Sequence, residues 1–330
     1  LHVKHLFVAM TALIGVATVA TAEAPSVAVD IAPTHALVAT VMQGVGTPNL
    51  LVQPGVSPHG YSMRPSEARA LQDADVVFWV GHALTPSLEK SIESLTSDAK
   101  IVEFMDLAGV TKLPFREGAA FEHHEDDHDD HDDHDDHDDH EKDAEHHDEE
   151  AHDDHDHEGG IDPHIWLDPA NASVWLTEIA ETLAEIDPEN AALYRENAER
   201  GRESIATMID DINHLVAPVR GRGFVVFHDA YHYFEERFEL QARGSILVSD
   251  GTPPSAARLK EIRAVFEEKD VSCVFSEPQF NAKIVDAVVA HGSVNSAILD
   301  PLGATLEVGP DLYETLIRNL ASNIATCLKA

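Results

Sequence analysis

Short apolar runs alternate with helical segments along most of the chain, and the second half repeats the pattern of the first. The predicted strands cover residues 27–32, 49–53, 76–80, 101–104, 224–227, 241–248, 271–275 and 295–299. The predicted helices cover residues 34–44, 65–73, 86–95, 171–186, 188–215 and 254–268, a segment starting at 229, another starting at 281, and 310–328. Because strand–helix alternation is typical of parallel sheets covered by helices, we predict an α/β fold with four strands in each half.

One stretch breaks this pattern. Residues 121–158 contain 22 of the 60 acidic residues, twelve of the 22 histidines and one lysine, and so carry −21 of the formal net charge of −38. Such a segment cannot offset its chain entropy by burying apolar surface, so we predict that it is disordered. Because the sequence also lacks the clusters of Lys and Arg that phosphate binding needs, a nucleic-acid partner is not expected.

The first residues are typical of a secretory signal peptide. A cationic start around Lys4 precedes apolar residues 6–20, and residues 20–22 read Ala-Thr-Ala, a typical cleavage site. The alternative, a membrane anchor, is less favoured because the apolar run is shorter than the roughly 20 residues that a spanning helix needs. No cysteine follows the run, so no lipid anchor is expected. We therefore predict that residues 1–22 are removed and that a soluble protein is exported.

The only two cysteines are Cys273 and Cys327. In a protein sent to an oxidising compartment they indicate a structural disulfide, since free thiols are oxidised there. A disulfide between them would close a loop of 54 residues. Constraining such a loop in the unfolded chain stabilises the fold by on the order of 4 kcal/mol through chain entropy. The alternative is that the two thiolates bind zinc.

Three histidines outside the charged stretch lie in loops or at predicted strand ends. His59 lies between prolines and glycines, His164 follows Asp162-Pro163, and His228 directly follows the apolar run 224–227. The carboxyl ends of parallel strands are where open α/β sheets bind ligands. One histidine alone is more often a structural residue, but three of them beside a histidine-rich segment favour a metal site. Three neutral imidazoles suit zinc and leave a fourth coordination position open.

Three further residues are weaker candidates for this site. Asp300 follows the apolar residues 297–299, and Glu277 follows another predicted strand, although either carboxylate could instead cap a helix. His232 lies four residues after His228 and would share its face if a helix started there, but exposure at the surface is the default expectation. We expect Asp300 to be the best candidate for the fourth ligand.

Five motifs carry a resemblance to a known family. They are Gly55-Val56-Ser57-Pro58-His59-Gly60-Tyr61, Arg64-Pro65-Ser66, Asp162-Pro163-His164-Ile165-Trp166, Phe227-His228-Asp229-Ala230-Tyr231 and Ser276-Glu277-Pro278-Gln279-Phe280. Together they resemble the ZnuA family of periplasmic zinc receptors, among the metal-binding solute-binding proteins. The resemblance covers nearly the whole mature chain. It implies two (β/α)4 lobes with mainly parallel four-stranded sheets, joined by a long helix, with the metal between them.

The resemblance also implies residue roles and boundaries. His59, His164 and His228 match the three histidine ligands, Asp300 matches a carboxylate that binds the metal in many relatives, and the zinc branch has a disulfide at the positions of Cys273 and Cys327. Manganese-type relatives usually have Glu in place of the third histidine, so zinc is favoured. The expected division of the chain is a first lobe at 23–170 with a His/Asp-rich loop at about 116–160, helices at 171–217, and a second lobe at 218–330.

The function implied is transport rather than catalysis. We expect a periplasmic monomer that captures Zn²⁺ as its transported ligand and delivers it to the membrane permease of an ABC importer, with a periplasmic zinc chaperone as a further candidate partner. The His/Asp-rich loop would collect zinc at weaker sites, or would act only as an acidic linker. The alternatives are a secreted zinc-dependent hydrolase and a manganese or iron receptor of the same fold.

Overall fold

The structure is a computed structural model that describes residues 24–96, 98–116, 118–121, 160–247, 254–268, 271–280, 284–285 and 294–330. The strands are β1 Val27–Val29, β2 Asn49–Leu50, β3 Val76–Trp79, β4 Lys100–Glu103, β5 Gly223–His228, β6 Ala242–Leu247, β7 Val271–Ser276 and β8 Asn295–Ile298. The α-helices are α1 Ala32–Val41, α2 Pro65–Gln72, α3 Pro86–Leu95, α4 Pro169–Ile186, α5 Ala191–Val216, α6 His232–Phe238, α7 Ala256–Glu268 and α8 Leu312–Lys329.

The strands form two four-stranded sheets in which every pairing is parallel. The first sheet has the order β2-β1-β3-β4 and the second the order β6-β5-β7-β8. The central strands β3 and β5 are buried along their whole length, as expected when helices cover both faces of a parallel sheet. The predicted α/β fold with four parallel strands in each half is therefore confirmed.

Proline sets the start of several helices. Pro65, Pro86 and Pro169 begin α2, α3 and α4, a position where the missing N–H costs nothing and the fixed φ favours a helix. Asp168 also caps α4, because its carboxylate accepts a hydrogen bond from the backbone N–H of Ala170 at 2.8 Å. These local signals explain why the predicted starts of these helices are close to the observed ones.

The long helix α5 lies in sequence between the two sheets and packs against both halves. It has 26 residues. Near its start, Asn197 donates hydrogen bonds to the carbonyl oxygens of Val41, the last residue of α1, and of Gln43 just beyond it, at 2.8 and 2.9 Å. Towards its end, Asp211 forms an ion pair with Arg318 of α8 at 3.0 Å. The predicted long helix is therefore present, and these partners lie at the end of α1 and in α8.

The predicted disulfide between Cys273 and Cys327 is present and links β7 to α8. Its two Cα atoms lie 6.0 Å apart, within the usual range for a disulfide. The cross-link therefore ties the terminal helix to the second sheet.

The chain on either side of the charged stretch is held by backbone pairing. Pro114 and Ile161 form an antiparallel bridge, and the N–H of Asp162 donates to the carbonyl oxygen of Leu113 at 2.9 Å. Beyond this bridge, Ala120 pairs with Gly244 of β6. Ala120 lies inside the predicted first lobe, yet its bridge is to the second sheet.

Some predictions concern residues outside the described part of the chain. These are the signal peptide at 1–22, most of the His/Asp-rich loop at about 116–160, and most of the helix predicted from residue 281. Among the described helices, none combines the length and the apolar character needed to cross a bilayer.

Candidate metal centre

His59 lies on the loop that follows β2. Gly55 has a φ of 81°, a left-handed conformation that favours glycine, and Pro54 and Pro58 restrict the same loop. The N–H of His59 donates to the Oγ of Ser57 at 3.2 Å, and the residue is half-buried. The loop therefore presents the imidazole without using a helix or a strand.

His164 lies in a turn that Asp162 closes. The Asp162 Oδ1 accepts a hydrogen bond from the His164 backbone N–H at 3.0 Å and lies 2.6 Å from the His164 Nδ1. Both residues are buried. One carboxylate thus fixes the backbone of the turn and also the orientation of its imidazole.

His228 is the last residue of β5, as predicted for a ligand at the carboxyl end of a parallel strand. Its Nδ1 lies 2.6 Å from the Oε1 of Glu277, which directly follows the neighbouring strand β7. Both side chains are buried. The pairing of two adjacent strands therefore supplies a histidine and a carboxylate that orients it.

The three imidazoles converge. The Nε2 of His164 lies 3.3 Å from that of His59 and 3.4 Å from that of His228, and the ligand atoms of all three lie within 4.8 Å of one another. Four-coordinate zinc with Zn–N bonds of about 2.0–2.1 Å separates its ligand atoms by about 3.3 Å. The two close separations are those that a tetrahedral zinc site requires.

The two carboxylates select the atoms that would face a metal. An Nδ1–H that donates to Asp162 or to Glu277 leaves the lone pair on Nε2, and the Nε2 atoms are the ones that converge. Such hydrogen bonds also make the imidazole a stronger ligand. The pocket is completed by apolar and aromatic residues that include Trp166 and Phe280.

Burial makes the charges around this pocket sensitive to their surroundings. Desolvation raises the pKa of Asp162 to about 7, against hydrogen bonding by the His164 N–H that lowers it. Burial also raises the pKa of Tyr231 well above its ordinary value, with the Glu277 carboxylate as the next cause. The phenol therefore stays neutral, and a divalent cation would compensate the buried negative charge.

The weaker candidates lie outside the converging group of described residues. Glu277 lies behind His228, where it contacts Nδ1 rather than the convergence point. The Asp300 Oδ1 accepts hydrogen bonds from the N–H groups of Leu302 and Gly303 at 3.2 and 2.9 Å, whereas its Oδ2 is buried without a hydrogen-bond partner in the described structure. Asp300 as the fourth ligand stays a prediction.

His232 begins α6, which starts three residues later than predicted. Residues 229–231 instead connect β5 to α6 outside regular structure, and the Ala230 N–H donates to the His228 carbonyl oxygen at 3.0 Å. His228 and His232 therefore do not lie one turn apart on a common helix. His232 is half-buried rather than exposed, and its Nδ1 is buried with no hydrogen-bond partner in the described structure.

Sequence reasoning missed the role of Asp162 and misjudged that of Glu277. The spacing Asp162-Pro163-His164 was a usable signal, because an aspartate commonly accepts the N–H two residues later in such a turn. For Glu277 no local signal existed, because its contact with His228 depends on which strands are neighbours in the sheet.

The chain matches the family model described as "Zinc-uptake complex component A periplasmic", the ZnuA family, over residues 27–327. The chain belongs to the ZnuA family. It is 46% identical over 310 residues to the high-affinity zinc uptake system protein ZnuA of Brucella abortus, which covers 93% of this chain and 92% of the relative. It is 43% identical over 323 residues to the protein of that name from Paracoccus denitrificans, covering 97% of each chain. The resemblance found in the motifs is therefore confirmed.

Solved structures show the same fold. A crystal structure of ZnuA superposes with a TM-score of 0.72 at 23% identity and covers 92% of this chain and 99% of its own. The solute-binding protein FpvC of Pseudomonas aeruginosa, in a complex with Mn²⁺, has a TM-score of 0.72 at 19% identity and covers 92% of this chain and 98% of its own. The fold of this chain is therefore shared with a solute-binding protein solved in complex with Mn²⁺.

Proposed function

We propose that the protein binds Zn²⁺ in the periplasm through His59, His164 and His228 and delivers it to the membrane permease of an ABC zinc importer. The observation that carries the proposal is the convergence of three imidazole nitrogens, two pairs of which are 3.3 and 3.4 Å apart. The names of the ZnuA relatives support zinc as the transported ion. Export depends on a cleavable signal peptide at residues 1–22.

The donor set favours zinc over a harder cation. Imidazole nitrogen suits zinc, whereas Mn²⁺ prefers carboxylate and carbonyl oxygen. The fourth position is taken by Asp300 or by water. Of the two oxygens of Asp300, Oδ1 is held by backbone N–H groups and only Oδ2 lacks a partner in the described structure.

Release need not involve a wide opening of the molecule. The long helix α5 packs against α1 and α8, and such packing resists large hinge motion. We propose that a small shift of the loops, with loss of one histidine from the ion, lets the permease take zinc from a site with fewer ligands. The protein would act as a monomer, and a periplasmic zinc chaperone is a further candidate partner.

The charged stretch would add capacity. Its twelve histidines and many acids could bind further zinc ions, but ordering a chain around each ion costs conformational entropy, so these sites should be weaker than a preformed one. Deleting residues 122–158 and titrating zinc tests this directly. An unchanged stoichiometry would leave only the role of an acidic linker.

The main test is a zinc titration of the purified protein against a chromophoric chelator, with Mn²⁺ as competitor. The proposal predicts one tight zinc site, weakened when any of the three histidines is changed to alanine, with Mn²⁺ displacing little zinc. Preferential binding of Mn²⁺ would support the manganese receptor instead. Turnover of ester or peptide substrates by the zinc-loaded protein would support the hydrolase and would overturn a purely transport function.

A further inference from the structure

The segment that carries His164 is bonded to residues that follow His228 in the chain. The hydroxyl of Tyr233 on α6 accepts a hydrogen bond from the Leu113 N–H at 2.9 Å and donates one to the Asp162 carbonyl oxygen at 2.9 Å. Tyr233 is buried. A single phenol therefore joins the two chain segments that flank the charged stretch, one of which contains the aspartate that orients His164.

Arg116 makes a second connection across the same region. Its Nε lies 3.1 Å from both carboxylate oxygens of Asp229, the residue next to His228. Its two terminal nitrogens donate to the two oxygens of Glu235 on α6, each at 2.9 Å. The guanidinium also stacks on Phe121, with its carbon 3.9 Å from the ring centroid.

These contacts are largely shielded from solvent. The side chain of Arg116 is 16% exposed, and those of Asp229 and Glu235 are 9% and 3% exposed. The two carboxylates raise the pKa of Arg116 against the opposing effect of its burial, so the arginine stays charged. Buried charge-assisted hydrogen bonds with fixed, bidentate geometry orient their partners more strictly than exposed ones.

We propose that Arg116, Asp229, Tyr233 and Glu235, here called the α6 clamp, position His164 and His228 as a preassembled pair for the metal. The clamp does not touch the ion. Tyr233 holds the carbonyl of Asp162, two residues before His164, and Arg116 links Asp229, the residue after His228, to Glu235. The clamp thereby maintains the 3.4 Å separation of the two Nε2 atoms before zinc arrives. Preorganisation of this kind raises affinity because less ordering remains to be done on binding.

This inference rests on the proposed zinc site, and it assigns a positioning role to residues that do not bind the metal themselves. The decisive variant is Tyr233→Phe, which removes only the hydroxyl and keeps the buried ring. Arg116→Lys is the second variant, because it keeps the positive charge and loses the bidentate geometry.

Each variant has a matched control remote from the pocket. Tyr194 is also buried and donates its hydroxyl to the Asp187 Oδ2 at 2.9 Å, so Tyr194→Phe removes a similar hydrogen bond. Arg195 forms a bidentate pair with Glu181 between α5 and α4, so Arg195→Lys makes the same chemical change on the surface.

The experiment measures zinc affinity and release rate of the full chain by chelator competition, with the His164→Ala variant as the blank for binding elsewhere. The Co²⁺-substituted absorption spectrum reports ligand geometry, and thermal unfolding of the metal-free protein reports stability. Groups that hydrogen-bond directly to metal ligands typically contribute 10- to 100-fold in affinity. Tyr233 acts one step further away, through the Asp162 carbonyl, so we expect Tyr233→Phe to weaken zinc binding about tenfold, the bottom of that range, with faster release and an altered Co²⁺ spectrum.

Arg116→Lys should change affinity and spectrum in the same direction, whereas the two controls should lower at most the unfolding temperature. A Tyr233→Phe protein with wild-type affinity, release rate and spectrum would overturn the positioning role, even if its unfolding temperature fell. If wild type and His164→Ala bound zinc equally, the proposed site itself would fail, a result distinct from failure of the clamp.

Discussion

His164 and His228, here called the braced pair, differ from His59 in their burial and in the chain segments that carry them. His164 and His228 are buried, and each has a buried carboxylate 2.6 Å from its Nδ1. His59 is half-buried and lies on a loop shaped by proline and glycine. One part of the site is therefore held by a buried strand end and a buried turn, whereas the other part is carried by a more exposed loop.

This contrast suggests how one site can both bind tightly and let its ion go. Zinc held by two fixed imidazoles needs a third to complete a tight site, and a loop can supply and remove that ligand at lower cost than a strand. The order of ligand loss on release is therefore expected to begin with His59.

The largest effect should follow removal of the central ligand. His164 lies close to both other histidines, so His164→Ala breaks both short separations. If the binding free energy of roughly 10–16 kcal/mol typical of structural zinc sites is divided evenly among three histidines, each contributes about 3–5 kcal/mol. We therefore expect affinity to fall by about two to four orders of magnitude, measured by chelator competition. A loss below tenfold would contradict a three-histidine site.

The comparison itself is tested by His59→Ala. The braced pair should survive this change, so we expect a loss about tenfold smaller than that of His164→Ala, because the remaining ligands stay preorganised. Stopped-flow release into excess chelator should show the loss mainly as a faster off-rate. If His59→Ala lost as much affinity as His164→Ala, the proposed difference between the loop histidine and the braced pair would be contradicted.

The braces can be tested without touching the ligands. Asp162→Asn keeps the shape of the side chain but removes the charge beside the His164 Nδ1, and we expect about 10- to 100-fold weaker zinc binding. Asp187→Asn is the matched control, since this buried carboxylate binds the hydroxyl of Tyr194 instead. If the two variants changed zinc affinity equally, Asp162 would contribute only to general stability and would have no specific role in orienting His164.

The smallest expected effect is a loss of stability in acid that does not involve the metal pocket. His35 on α1 is buried, its Nε2 bonds the Pro48 carbonyl oxygen, and burial lowers its pKa. The unfolded state then binds more protons, so the contribution of His35 to stability is complete above the ordinary pKa of about 6.5 and is lost as the pH falls below it.

We expect His35→Gln to reduce, but not to abolish, the dependence of the free energy of unfolding on pH. Chemical denaturation of the metal-free protein at several pH values measures it. The same variant should leave zinc affinity at neutral pH unchanged. A change in zinc affinity would mean that the first sheet and the pocket are more tightly coupled than the structure indicates.

Much of this architecture could be predicted because its signals are local. Short strand-like runs and proline at helix starts predicted the strands and helices, and a histidine directly after an apolar run predicted the position of His228. The convergence of the three rings was a hypothesis based on their loop and strand-end positions and on the family resemblance, because local patterns do not report distances between residues that lie far apart along the chain.

The supporting groups could not be predicted, because they depend on tertiary neighbours. Glu277 meets His228 across 49 residues since β5 and β7 are adjacent in the sheet. Arg116 meets Asp229 across 113 residues since the chain before the charged stretch crosses to the second sheet. Periodicity and composition carry no information about such pairs.

The most direct test of the central claim is a crystal structure of the zinc-loaded protein with anomalous scattering recorded at the zinc edge. The account predicts one strong peak about 2.0–2.1 Å from the Nε2 atoms of His59, His164 and His228, with the Nδ1 atoms of His164 and His228 still bonded to Asp162 and Glu277. A strong peak elsewhere, or one bound through the Nδ1 atoms, would contradict it.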